Sequence, residues 1–235
     1  MLPLRDNVPT RTFPIVTVVL IATNIVVWLW QVGGTPVDTD VIHYGFYPCQ
    51  IRGPCTGVAL DSQIPWYQNV FTSMFMHGGW AHIGFNMLFL WIFGNNVEDA
   101  LGRVRFAFWY IAGGLAATAA QTFATLAAGT TQDASVPNIG ASGAIAAVLG
   151  AYLVLLPNAR VLTAIFVLLI FFVELPAIFF LGFWFVIQAW QGGWSLVQPQ
   201  AGGGVAFFAH VGGFVFGVLT VKLVAKRSPL RPRYT

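Results

Sequence analysis

Residues 134–159 read ASVPNIGASGAIAAVLGAYLVLLPNA, a run without Asp, Glu, Lys or Arg that closes on Pro157-Asn158-Ala159. Four further runs share that property: 12–37, 62–97, 106–132 and 175–221. A bilayer-spanning helix needs about 20 apolar residues, and several fit into these runs. The chain of 235 residues is 57% hydrophobic and 8% charged, whereas soluble domains carry about 25% charged residues. So few charges cannot coat a globule in water, and disorder needs the opposite composition. The reading is an all-α polytopic membrane protein of six spans. Such a chain has short loops and no room for a soluble catalytic or nucleic-acid-binding domain. The net charge of +3 then bears on orientation rather than on nucleic acid, because in a membrane protein the placement of charges matters more than their sum.

Working outward, a tail over 1–12 precedes a first span over 13–32, expected to be retained because no small-residue cleavage site follows it. A loop to about Tyr67 holds Asp38, Asp40, Asp61 and the pair Cys49 and Cys55, which are either a disulfide or two free thiols. The second span is expected over 70–93, with Asn95-Asn96-Val97-Glu98-Asp99 as a polar turn, and the third ends near Leu126. The fourth covers 142–156. Residues 161–173 would reach only about 20 Å as a helix, too little for a hydrocarbon core of about 30 Å, so they are assigned to the cytoplasmic interface. The fifth span covers 174–189, a Gly- and Gln-rich loop runs over 191–204, and the sixth span covers 205–224. The membrane domain is thus 13–224, followed by a basic tail, 225–235. Ten of the eleven basic residues fall on the side of the termini, and only Arg52 faces the other way. By the positive-inside rule both termini are cytoplasmic.

Inside or beside these spans lie His77, His82, Asn86, Ser142 and His210. Ionisable groups in hydrocarbon usually mark a pathway or a site, although His, Asn and Ser also serve as helix glue. His82 and Asn86, four apart, project from one helix face. At about 1.5 Å per residue, Ser142, His82 and His210 each sit about 20 Å above the cytoplasmic end of their spans, which puts them at one level. The fourth span is then too short to cross, and the non-helical run Pro137 to Ala141 must dip into the membrane. Irregular backbone at that depth survives only in packed protein or beside a wet cavity. Ser142 opens a helix whose unpaired N–H groups and dipole favour negative charge. A serine hydroxyl needs a base, and His210 is the candidate. Gly213 and Gly217, matched by Gly143, Ala147 and Ala151, would let the sixth and fourth backbones approach closely. His82, Asn86 and the Ser142 amide would then face the oxyanion.

These residues resemble the rhomboid family of intramembrane serine proteases. The run from His77 through His82 to Asn86 is similar to that family's second-span motif. Gly140-Ala141-Ser142-Gly143 resembles its nucleophile motif, and Ala209-His210-Val211-Gly212-Gly213 with Gly217 its last-span motif. Glu98, Gly102 and Phe106 resemble the motif after the second span. The resemblance implies a Ser142 and His210 dyad, oxyanion donors at His82, Asn86 and Ser142, and structural support from His77, Gly140, Gly143, Gly213, Gly217, Glu98 and Gly102. Two positions depart from it. Ala146 stands where members often carry an aromatic beneath the histidine, so the sequence names nothing that orients His210. Ile51-Arg52 and an isolated Trp66 stand in place of a Trp-Arg pair.

No His-Glu-x-x-His run offers a zinc site, and a spacing of five puts His77 and His82 on different helix faces. No span carries an Asp, and no cofactor or metal is expected. The expected function is a serine endopeptidase that cleaves transmembrane protein substrates near the outer face of a lipid bilayer. A catalytically silent relative that acts on membrane clients as a chaperone or trafficking factor is the alternative. The compact form points to a prokaryotic cell membrane.

Overall fold

The structure is a computed structural model that describes residues 1–34, 36–58, 60, 64–166, 169–197 and 206–232. Asp61, Arg233 and the part of the Gly- and Gln-rich loop over 198–204 lie outside the described residues, as does Val205 at the expected start of the sixth span.

At the centre stands the short helix of the opening stretch. Fourteen residues, Ser142–Leu155, form α8, and every residue from Gly143 to Tyr152 is buried. A helix that is apolar all round belongs inside protein rather than at a surface, and here other helices wrap it. Before it come α1 (Ile15–Gly33), α2 (Val37–Tyr44), α3 (Cys49–Arg52), α4 (Trp66–Thr72), α5 (Trp80–Leu101), α6 (Arg103–Ala128) and α7 (Thr131–Ala134); after it come α9 (Ala177–Val197) and α10 (Phe207–Val224). Among the described residues, α1, α6 and α10 are long and apolar enough to cross a membrane, and α8 is a shorter apolar helix. Cys49 and Cys55 are joined by a disulfide.

The chain is mostly helical but not all-α. Leu2–Asp6 (β1), Arg160–Phe166 (β2) and Ile170–Pro176 (β3) form an antiparallel sheet in the order β1-β2-β3. Residues 161–166 and 170–173, expected within one short interfacial segment measured as a helix, therefore lie in two paired strands. Their content of Val, Ile, Thr and Phe suits a pleated surface better than a helix. Residues 2–6 add a strand to it, so the first dozen residues are not only a tail.

A second correction concerns α5. The helix starts at Trp80, after α4 and a 3-10 turn at Ser73–Phe75, instead of running from 70. At its other end, Asn95 to Asp99 are helical and not a turn. Long-range partners explain why polar residues continue the helix. Asn96 Nδ2 donates to Asp6 (2.8 Å), and Glu98 accepts from the N–H groups of Val16 (3.0 Å) and Thr17 (2.7 Å) and from the Thr17 hydroxyl (2.8 Å). Those are first-turn donors of α1, which have no acceptor within their own helix. Asp99 pairs with Arg11 at 3.0 Å. Gly102, with φ of +79°, then turns the chain into α6 in a backbone conformation that L side chains avoid.

Helices α8 and α10 meet backbone to backbone. A Cβ at Gly213 would strike the carbonyl of Gly143, one at Gly217 the carbonyl of Ala147, and one at Gly150 the carbonyl of Phe214. Gly143 itself faces Ala117 of α6. Small residues on all three helices let the backbones touch, which is how helices associate where no hydrophobic drive exists between them.

Asp6 joins this core to the sheet, accepting from the Tyr152 hydroxyl of α8 at 2.6 Å as well as from Asn96. Burial pushes its carboxyl up to about 6, against the lowering effect of the Tyr152 hydrogen bond. A carboxyl raised on folding stabilises the fold fully below its unfolded value of about 3.9, and that contribution disappears as pH rises through 6. Asp6→Asn keeps an oxygen for both donors and removes the charge. It should gain stability over the parent as pH rises from 5 to 8, by on the order of 1 to 2 kcal/mol after allowance for partial exposure. Thermal unfolding in detergent across that range is the measurement. Parallel curves for the two proteins would show that Asp6 does not titrate as described.

Candidate active site

The approach to α8 is built from backbone hydrogen bonds rather than from a helix. Asn138 N–H donates to the Phe46 carbonyl at 2.7 Å and Gly140 N–H to the Ser73 carbonyl at 2.9 Å. Gly140 has φ of +115°, and a Cβ there would lie 2.7 Å from His82 Nε2 and 3.6 Å from Ser142 Oγ. Glycine is thus required twice at this position, for its backbone conformation and for the two side chains that converge on its α-carbon. The first intrahelical bond of α8 runs from Ile145 N–H to the Ala141 carbonyl. The N–H groups of Ser142, Gly143 and Ala144 consequently have no acceptor inside the helix.

His210 lies in the first turn of α10, and the glycine contacts below it bring its ring to α8. Its Nε2 is 2.9 Å from Ser142 Oγ. Its Nδ1 is 2.6 Å from Gln188 Oε1 on α9, and the Trp184 ring, one turn earlier on α9, lies 5.8 Å away at 39°. Neither α9 residue was singled out by the sequence reading. The available signal was an amide in the middle of an apolar span, with a tryptophan on the same face four residues before it. Ala146 is buried, and the aromatic neighbour missing there comes from Trp184 instead.

His82 projects from the first turn of α5. Gly78 N–H donates to its Nδ1 at 3.4 Å, so in a neutral ring Nε2 carries the hydrogen and directs it toward Gly140 and Ser142. Asn86, one turn further on, is 6% exposed, and its Nδ2 has no hydrogen-bond partner among the described residues. His77 is not on α5 at all. It precedes the helix, and its ring meets that of His82 edge-on at 5.0 Å, which corrects the expectation that a spacing of five would part them. The helix that this argument assumed is broken at Gly78 and Gly79, so the turn folds one ring back over the other. His77 is fully buried, its main chain is held by both ends of the Gln31 amide (3.1 and 3.2 Å), and its Nδ1 meets the Phe75 carbonyl at 3.2 Å.

His82, Asn86, Ser142, Trp184 and His210 share one cavity of about 770 Å³, whose remaining lining is largely apolar. A hydroxyl bonded to an imidazole, unpaired N–H donors beside it and an apolar cavity together suit attack on a carbonyl carbon with charge developing on its oxygen.

Known proteins are similar to this chain in sequence. A family model described as Rhomboid domain matches residues 65–227, a stretch that contains every residue of the site. The chain is 32% identical to Rhomboid protein 1, mitochondrial, of Saccharomyces cerevisiae over 64% of its own length and 40% of that protein. It is 27% identical to Putative rhomboid protease YdcA of Bacillus subtilis over 61% of its length and 63% of that protein. With Rhomboid protease GluP of the same organism it shares 36% over 40% of its length and 17% of that protein. The chain therefore spans about two fifths of the yeast relative and less than two thirds of YdcA. With the whole constellation inside the matched residues, this chain belongs to the rhomboid family.

Proposed function

We propose that this protein is an intramembrane serine endopeptidase with Ser142 as nucleophile and His210 as general base. The observation that carries the reading is the 2.9 Å contact between Ser142 Oγ and His210 Nε2, made at a helix N-terminus inside the cavity. Ser142 Oγ attacks the scissile carbonyl carbon while Nε2 takes its proton. The carbonyl oxygen gathers negative charge, which the Ser142 N–H, His82 Nε2–H and the unpartnered Asn86 Nδ2 stabilise. The C–N bond breaks, the leaving amine takes the proton from His210, and an acyl-Ser142 remains. Water, deprotonated by the same nitrogen, then releases the acid. Two of the named relatives carry the word protease, in support of activity over the silent chaperone reading.

In this reading six spans, α1, α5, α6, α8, α9 and α10, form the membrane domain, with both termini cytoplasmic and the cavity open to the outside. The substrates are transmembrane segments of other proteins. A peptide bond inside an intact helix has its carbonyl committed to the backbone ladder, so the substrate must unwind locally, and helix-weakening Gly or Pro near the scissile bond favours cleavage.

A fluorophosphonate should label Ser142, and Ser142→Ala or His210→Ala should abolish labelling in folded protein. Equal labelling of the Ser142→Ala protein would overturn the nucleophile assignment. Replacement of His82 or Asn86 by Ala should lower kcat by on the order of 100-fold or more with little change in KM, measured on a reconstituted substrate. Unchanged rates in both variants would reduce the pair to helix contacts. A membrane-impermeant thiol reagent applied to intact cells should modify Ser195→Cys and spare Ser228→Cys; the reverse pattern would invert the orientation.

A further inference from the structure

Resting on the protease reading, we infer that Gln188 is the positioning residue of the dyad, fixing the tautomer and the plane of His210. A neutral imidazole carries one hydrogen, on either nitrogen, and its ring torsion is broad. Only the form with hydrogen on Nδ1 leaves a lone pair on Nε2 for the Ser142 proton. The two contacts made by His210 select that form. Gln188 Oε1, which can only accept, lies 2.6 Å from Nδ1, and Ser142 Oγ lies 2.9 Å from Nε2. The opposite tautomer would set a bare Nδ1 against a carbonyl oxygen and a hydrogen against the nucleophile.

The helix that carries the glutamine is itself held. Phe185 of α9 stacks on Phe214 of α10 at 4.6 Å, and Trp184 lies 6.1 Å from the same ring. These contacts fix α9 against the helix that carries His210, in the span where Trp184 and Gln188 share a face. Trp184 flanks the ring while Gln188 bonds its far nitrogen. Between them they supply the orientation that Ala146 does not. An amide in this role has no charge to desolvate, unlike a buried carboxylate, whose removal from water is costly.

Three proteins separate positioning from packing: the parent, Gln188→Met, which keeps length and apolar volume but cannot accept, and Gln188→Glu, which keeps an accepting oxygen. On a reconstituted transmembrane substrate, Gln188→Met should lose about 10- to 100-fold in kcat, the size of loss that follows removal of the partner orienting a metal-bound histidine, at nearly unchanged KM. Gln188→Glu should retain most of the activity. A packing role predicts the reverse order, since Met is tolerated in a span and Glu is not, and that order would overturn the inference. Nitrogen NMR of labelled His210 gives an arm independent of turnover: hydrogen on Nδ1 in the parent and a mixture of tautomers in Gln188→Met. Hydrogen on Nε2 in the parent would overturn the role of Gln188 even if Ser142 is labelled by fluorophosphonate. Absent labelling with hydrogen on Nδ1 would instead sink the protease reading and leave the tautomer assignment standing.

Discussion

Backbone contact between α8 and α10 is the constraint on which the rest depends. In hydrocarbon there is little solvent-driven attraction between apolar helices, so close packing and polar contacts must hold them. Gly213 and Gly217 lie directly on the carbonyls of Gly143 and Ala147, and a side chain at either would force the helices apart. His210 is three residues before Gly213, and Ser142 adjoins Gly143. The distance between His210 and Ser142 is thus set by the glycines beside them. Separation by even one methyl group would break a 2.9 Å contact.

The shortness of α8 follows from the same packing. Buried from Gly143 to Tyr152, it has little outer surface, so its length need not match a bilayer. The loop before it has irregular backbone, but Phe46 and Ser73 accept the N–H groups of Asn138 and Gly140. Carboxylates act at the opposite end of the bundle. Glu98 caps α1 while Asp99 holds Arg11, and Asp6 ties the sheet to Tyr152, so the α8 register is fixed at both ends.

The meeting of Ser142 with His210 and the glycines beside them are legible in the sequence because each depends on local spacing. A Gly-x-Ser-Gly at a helix start and a His followed by small residues at four-residue intervals are visible within one turn or two. The hairpin over β2 and β3 is not legible, since short apolar runs of this kind fit a strand or a buried helix equally by periodicity, and pairing with residues 2–6 decides between them. The last turns of α5 are hidden for a related reason. Asn96, Glu98 and Asp99 look like a turn until partners more than 80 residues away are known. Gln188 lies 22 residues from His210, and a lone amide in a span reads as ordinary helix glue.

Polar groups in this bundle divide by what surrounds them. Gln31, Glu98 and Asp99 have their partners within the scaffold, as buried polar groups generally do, because an unmet donor or acceptor costs about 1–3 kcal/mol. A few atoms have no partner among the described residues, among them Asn24 Oδ1, the Tyr110 hydroxyl and Asn86 Nδ2. Asn86 differs from the other two in that it lines the cavity beside Ser142 and His210. A donor left unpaired in packed protein only weakens the fold. In the proposed reaction, a donor left unpaired at the wall of the cavity that Ser142 also lines, one turn from His82, would lower the energy of the negative oxygen formed there. On that proposal the oxygen is charged only during the reaction, so the hydrogen bond would be strongest at the moment when it accelerates the chemistry.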